Sequence, residues 1–197
     1  FPYGASYDFD LDLNYIAELW KQRGWIDDNE VREIKTHHGA FSVTPRKGLR
    51  VVSLNTDFWY QYNFYAYINS ANPDFSGMLR FLTDELLDAE KCGDRVWIVG
   101  HVLTGWNGKE ALASPTNLFY QIVSRFAPHT LGAIYFGHTH EDQFEVFYFN
   151  DNGNDKSTDQ STEKAVSIAY IAPSITPYQN LNPTFRVYSV HLSLIHI

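Results

Sequence analysis

A chain of 197 residues that is 44% hydrophobic and carries a formal charge of −8 has the size and apolar content of a folded domain with a sizeable core, which excludes a disordered chain. Its 15 Lys and Arg are never gathered into a run, so they cannot displace counter-ions along a phosphate backbone, which excludes a nucleic-acid-binding module. The single cysteine, Cys92, closes no internal disulfide and supplies no Cys-x-x-Cys metal site, and no stretch approaches the roughly 20 apolar residues of a transmembrane segment.

Residues 8–35 are acidic and helical in pattern. Ile16, Ala17, Leu19 and Trp20 share a side, Gly24 is a stop, and Asp27-Asp28-Asn29-Glu30 opens a second short helix. His37-His38-Gly39, read as solvated or as a pocket rim, leads into a short strand at Phe41-Ser42-Val43. Residues 49–54 form a strand that ends in Asn55-Thr56-Asp57, where Asn55 and Asp57 either make an Asx turn or reach a site. Aromatic residues crowd 58–67, as a loop lining a groove or covering the core. The spacing of Leu79, Leu82 and Leu86 predicts an amphipathic helix over 76–91, ended by Gly93.

Residues 96–99 are a short buried strand delivering Gly100-His101. Ser114-Pro115 supplies an N-cap and a first-turn proline for a helix with Leu118, Phe119, Ile122, Val123 and Phe126 on one face. His129 follows Pro128 at its end, as a cap or in solvent. Residues 131–136 form the next strand and deliver Gly137-His138-Thr139-His140. Strands are predicted over 144–149, 166–171 and 185–190, with a polar mobile loop over 150–163 and a loop with three prolines between the last two strands. His191 and His196 fall on strand faces of the tail.

Strand–helix–strand–helix–strand, followed by further strands, reads as an α/β sandwich with mixed sheets, in which ligand groups gather at the carboxyl ends of strands. Both Gly-His motifs occupy such ends. Neutral imidazole is a good ligand for Zn, Fe or Mn, and a preceding glycine lets the backbone turn sharply and approach an ion. A lone Gly-His is as ordinary as any turn or core histidine. Gly-His-x-His after an apolar strand is more specific, and the two motifs together point to metal. His138 and His140 would share a face in a strand and serve two neighbouring ions at a strand end, and His101 precedes them by one helical crossover. Asp142 reads either as a carboxylate that orients an imidazole or as a plain exposed acid, and Glu141 beside it as an exposed acid.

These residues resemble the calcineurin-like metallophosphoesterases, and more closely their acid sphingomyelinase-like branch. The resemblance lies in Leu49-Arg50-Val51-Val52-Ser53-Leu54-Asn55, Asn72-Pro73-Asp74-Phe75-Ser76-Gly77, Ala89-Glu90 and Arg95-Val96-Trp97-Ile98-Val99-Gly100-His101. It continues through Phe136-Gly137-His138-Thr139-His140-Glu141-Asp142, Ala172-Pro173-Ser174-Ile175-Thr176-Pro177 and Asn180-Leu181-Asn182-Pro183-Thr184-Phe185-Arg186-Val187-Tyr188, in the family's order, over roughly residues 45–190.

The resemblance implies an αββα sandwich and a two-metal phosphodiester hydrolase, usually with zinc. His101 and His138 would bind one ion and His140 the other, clamping a phosphodiester for in-line attack by hydroxide on phosphorus. The implied substrate is sphingomyelin or another phospholipid, met by peripheral membrane contact, in a secreted or vacuolar/lysosomal location. The family's early motifs, Asp-x-His, Gly-Asp-x-x-Asp and Gly-Asn-His-Glu/Asp, do not occur in this sequence. No catalytic acid is therefore assigned. The expectation is that residues 1–191 are the C-terminal portion of one catalytic domain, incomplete at its N-terminal side and inactive alone, with 192–197 an unmatched tail. Two other readings stay open: a nucleotide phosphodiesterase or polyphosphatase of the same fold, and a non-enzymatic binding or structural domain with a lost metal site.

Overall fold

Short runs rich in Val and Ile alternate with helices whose apolar residues recur on one side, and that alternation becomes a parallel sheet with crossover helices. The computed structural model describes residues 10–68, 71–105, 111–149, 164–177 and 180–190. In chain order the elements are α1 (Asp10–Gln22), α2 (Asp28–Thr36), β1 (Phe41–Arg46), β2 (Leu49–Ser53), two single 3₁₀ turns (Thr56–Trp59 and Phe64–Tyr67), α3 (Met78–Cys92), β3 (Arg95–Val99), α4 (Ala113–Phe126), β4 (Leu131–Phe136), β5 (Gln143–Tyr148) and β6 (Ala165–Ile171).

The six strands form one mixed sheet in the order β1-β2-β3-β4-β6-β5. β2, β3, β4 and β6 run parallel, and β1 and β5 are antiparallel edges. The expected α/β class holds. A second sheet, as in an αββα sandwich, is not present among the described residues. One reason lies in residues 185–190, expected as a strand, which pair with no strand. Their alternation is real but inverted: Phe185 and Val187 are exposed, while Arg186 lies over the Tyr170 and Tyr188 rings. Tyr188 packs against Tyr135 and Tyr170, so this segment covers a half-buried aromatic row on the sheet instead of extending it.

The core lies between the sheet and helices α3 and α4. Leu79, Leu82, Leu86, Phe119, Val123 and Phe126 pack against Val52, Val96, Ile98 and Ile134, all buried. Arg50 fastens β2 to α3 through Glu85 at 2.9 Å and Asp88 at 2.8 Å. α1 and α2 make a satellite cluster around Ala17, Val31 and Ile34, with Leu13, Trp20 and Phe41 at its edge; Ile16, expected inside, is exposed. Asp27 caps α2 as its sequence predicts, accepting from the Asn29 N–H at 2.6 Å while its own N–H donates to Glu30 at 2.6 Å. α3 stops at Gly93, where φ is +75°. α4 differs from its predicted start: it begins at Ala113, its cap residue is Leu112, and Ser114-Pro115 lies within the first turn, where Pro115 is buried. The polar segment 150–163 lies outside the described residues.

Leu82 is fully buried in the main cluster, so Leu82→Ala is expected to cost about 2–5 kcal/mol in a denaturant titration. Leu87→Ala on the exposed side of the same helix is expected to cost less than about 1 kcal/mol. Glu145 on β5 is the second place to test. Burial pushes its carboxyl up from 4.5 to about 7. A folded value above the unfolded one means that its stability contribution is full below the ordinary carboxylate range and is lost as pH rises through about 7. Glu145→Gln should therefore match the parent at pH about 4 and exceed it by up to about 3 kcal/mol at pH about 9, in melts recorded across that range.

Candidate metal centre

β3 and β4 are parallel neighbours in a register that pairs Val99 with Tyr135. The residues that follow each strand therefore emerge side by side. Backbone bonding continues beyond the strand ends, from the Gly100 N–H to the Tyr135 carbonyl at 3.0 Å and from the Gly137 N–H to the His101 carbonyl at 3.0 Å. This brings His101 Nε2 to 3.4 Å from His138 Nδ1, with the rings almost perpendicular at 87°.

Both histidine loops are held by specific contacts. The Thr56 hydroxyl, buried at 1% exposure, accepts the backbone N–H of His101 at 2.9 Å and of Val102 at 2.7 Å. Gly100 is needed beside it, because a Cβ there would meet Thr56 Cγ2 at 2.6 Å and a Phe136 ring carbon at 3.1 Å. The Trp59 indole donates to the Val102 carbonyl at 2.9 Å. In the second loop His138 and His140 both take left-handed backbone, with φ of +78° and +66°. Such conformations cost non-glycine residues about 1–3 kcal/mol and persist where surroundings enforce them. Here the Thr139 N–H donates to the Gly137 carbonyl at 3.0 Å, and the Ser174 N–H to the His140 carbonyl at 3.3 Å.

The His101–His138 pair lies at one side of a cavity of about 550 Å³, whose other walls include Asn55, Asp57, Phe58, Tyr60, Tyr62 and Tyr65. The Tyr60 ring meets His138 edge-on at 4.8 Å and Tyr62 at 5.4 Å. Burial holds the His101 imidazole below its ordinary pKa, with His138 and His140 acting in the same direction and Asp57 against them. A neutral ring keeps a nitrogen lone pair for a Lewis acid. His140 is thus near enough to act on His101 electrostatically. Even so, no three His, Cys, Asp or Glu side chains converge as a ready-made metal cluster among the described residues.

The other expected residues divide. Asp142, read either as orienting an imidazole or as a plain exposed acid, has its carboxylate on Arg186, which ties the histidine turn to the segment covering the sheet. Glu141 accepts from the Gln143 amide. His37 is half-buried: it stacks on Phe81 at 4.4 Å, and burial lowers its pKa. His38 takes φ of +53°, and its carbonyl accepts the Asn55 amide at 2.9 Å, so Asn55 links the His37-His38 loop to the cavity wall. His129 is exposed. His191 and His196 lie outside the described residues. Sequence reasoning missed Thr56 and Tyr60. No local signal marks Thr56, because its two partners lie 45 and 46 residues away.

Among the described residues no helix is long and apolar enough to cross a membrane. No protein-family model matches the chain. Individual relatives do. It is 38% identical over 175 residues to the sphingomyelin phosphodiesterase of Bos taurus and 37% identical over 175 residues to that of Homo sapiens, in each case over 89% of this chain and 25% of the relative. It is also 33% identical over 189 residues to sphingomyelin phosphodiesterase B of Dictyostelium discoideum, over 96% of this chain and 28% of that protein. The chain thus spans about a quarter of the length of these relatives, and over that span it is similar to sphingomyelin phosphodiesterases.

Proposed function

We propose that this chain supplies His101, His138 and His140 to the two-ion centre of a metal-dependent phosphoric diester hydrolase whose substrate is sphingomyelin or a similar phospholipid. The observation that carries the reading is the 3.4 Å separation of His101 Nε2 and His138 Nδ1 at the ends of adjacent parallel strands. Two nitrogens bound to one tetrahedral zinc, each about 2.0–2.1 Å from it, sit about 3.3–3.4 Å apart. The pair fits two corners of such an ion. The similarity to sphingomyelin phosphodiesterases supports the reaction class.

When bound, a pair of divalent ions polarises phosphoryl oxygens and makes water nucleophilic near neutral pH. The chain's own residues position the ligands. Thr56 fixes the backbone at His101, the left-handed turn sets His138 and His140, and the edge of Tyr60 limits the freedom of the His138 ring. The cavity of about 550 Å³ has room for a phosphodiester headgroup, with Asp57 and Tyr62 in its wall. In this reading the remaining ligands belong to the part of the relatives' length that this chain does not span, and the fold is one half of a metallophosphoesterase sandwich. The half-buried aromatic face of the sheet is where the second layer would pack. A secreted or vacuolar/lysosomal location goes with the family resemblance alone.

Elemental analysis after zinc loading and desalting is the test. The 197-residue protein is expected to retain fewer than two ions per chain and to leave sphingomyelin and soluble phosphodiesters intact. His138→Ala is expected to weaken what zinc it does hold at least about tenfold. Two firmly held ions with turnover would overturn the half-centre reading, and zinc binding indifferent to His101→Ala and His138→Ala would overturn the assignment of the pair.

A further inference from the structure

Three arginines are drawn partly out of water: Arg50, Arg95 and Arg186. Moving a guanidinium into apolar surroundings is costly unless a carboxylate answers it. Arg50 has Glu85, Asp88 and Asp94, and Arg186 has Asp142. Arg95 makes no ion pair among the described residues, and its neighbour Asp94 is turned to Arg50 at 3.5 Å. Nη1 of Arg95 donates to the Pro128 and His129 carbonyls. Its Nε is shut off from solvent with no acceptor, and its Nη2 has none among the described residues. Burial alone moves the Arg95 pKa, downward, with no acid acting against it. Val96 and Ile98 are buried against the helices, so Arg95 and Trp97 lie on the other face of the sheet. There Arg95 borders a groove of about 490 Å³ together with Gly132, Val146, Tyr148, Ile168 and Tyr170, and it is the one charged residue in the groove's walls. Gly132 leaves the space beside the guanidinium unfilled: a Cβ there would stand 3.4 Å from both Nε and Nη2. The groove lies where β3, β4 and β6 begin, at the opposite end of the strands from the histidine loops.

We propose that this groove receives an acidic side chain of the polypeptide layer that covers the sheet, with its carboxylate on Arg95 Nη2. Charge complementarity selects an acid, because the groove holds one cation and no counter-charge. The walls select a polypeptide: they are mainly apolar and continue the aromatic row of Trp97, Tyr135 and Tyr170, which suits a segment with apolar residues on either side of the acid. A hydrogen bond between ionised partners is stronger than one between neutral partners, so the pair also fixes where along the sheet the segment sits. The proposal rests on the reading that a second layer packs on this face, and it adds the chemistry and the place of one residue in that layer.

Nuclear magnetic resonance titration of the 197-residue protein tests it, followed at the Gly132 and Ser167 amides. The probes are two extended peptides, acetyl-Val-Glu-Val-Thr-Val-amide and its counterpart with Gln in place of Glu. The Glu peptide is expected to bind the parent at least about tenfold more tightly than the Gln peptide. That preference should vanish in Arg95→Gln, and in Gly132→Asp, whose own carboxylate takes the guanidinium. In thermal melts Gly132→Asp should exceed Gly132→Asn by about 2–4 °C, a difference lost when Arg95→Gln is added. Zinc retention should match the parent in every variant, since the groove and the histidines lie at opposite ends of the strands. Equal binding of the two peptides, or a Glu preference that survives Arg95→Gln, would overturn the acidic occupant and leave the covered face standing. Failure of both peptides to bind would overturn the covered face as well. None of these results would touch the histidine pair.

Discussion

Parallel pairing of β3 with β4 is the contact from which the candidate centre is built. Parallel strands joined by a crossover helix end at the same edge of a sheet, so residues distant in sequence leave that edge together. The register of Val99 with Tyr135 carries Gly100-His101 and Gly137-His138 to the same level. What holds the strands in that register is the apolar layer beneath them: Val96, Ile98 and Ile134 on the sheet, and Leu82, Phe119 and Val123 on the helices. The imidazole geometry is thus a consequence of core packing, and the polar contacts add only its last increments.

Those increments are unusual in kind. Thr56 belongs to a third strand end, after β2, and its hydroxyl takes two N–H groups from the loop after β3. Three consecutive strand ends are therefore linked: β2 to β3 through Thr56, and β3 to β4 through the Gly137–His101 backbone bond. Gly100 lets the first two approach within a distance that no Cβ permits. The left-handed backbone at His138 and His140 stores strain that this bracing must offset.

Much of this was legible before any coordinates. β2, β3, β4, β5 and β6 lie within a residue or two of their sequence positions, because short Val- and Ile-rich runs between amphipathic helices admit few other readings. The Gly-His and Gly-His-x-His spacing located both histidine loops for the same reason, since each closes an apolar run. The failures share a cause: a tertiary partner that local pattern does not show. Residues 185–190 alternate like a strand, yet the attraction of Arg186 for Asp142 and for two tyrosine rings turns the apolar side outward. The stacking of His37 on Phe81, on a helix 44 residues later, is likewise a contact that no local pattern shows. Ser114 looked like a cap because nothing in sequence says that α4 starts two residues earlier, at Ala113 after the cap Leu112.

The neutral state of His101 bears on what the pair can bind. At 3.4 Å the two neutral imidazoles form a long hydrogen bond when one facing nitrogen carries the proton and the other its lone pair. Burial already disfavours the charged form of His101. In the proposed centre an ion would take the place of that shared proton and be held by both nitrogens, next to a cavity walled by a carboxylate and three tyrosines.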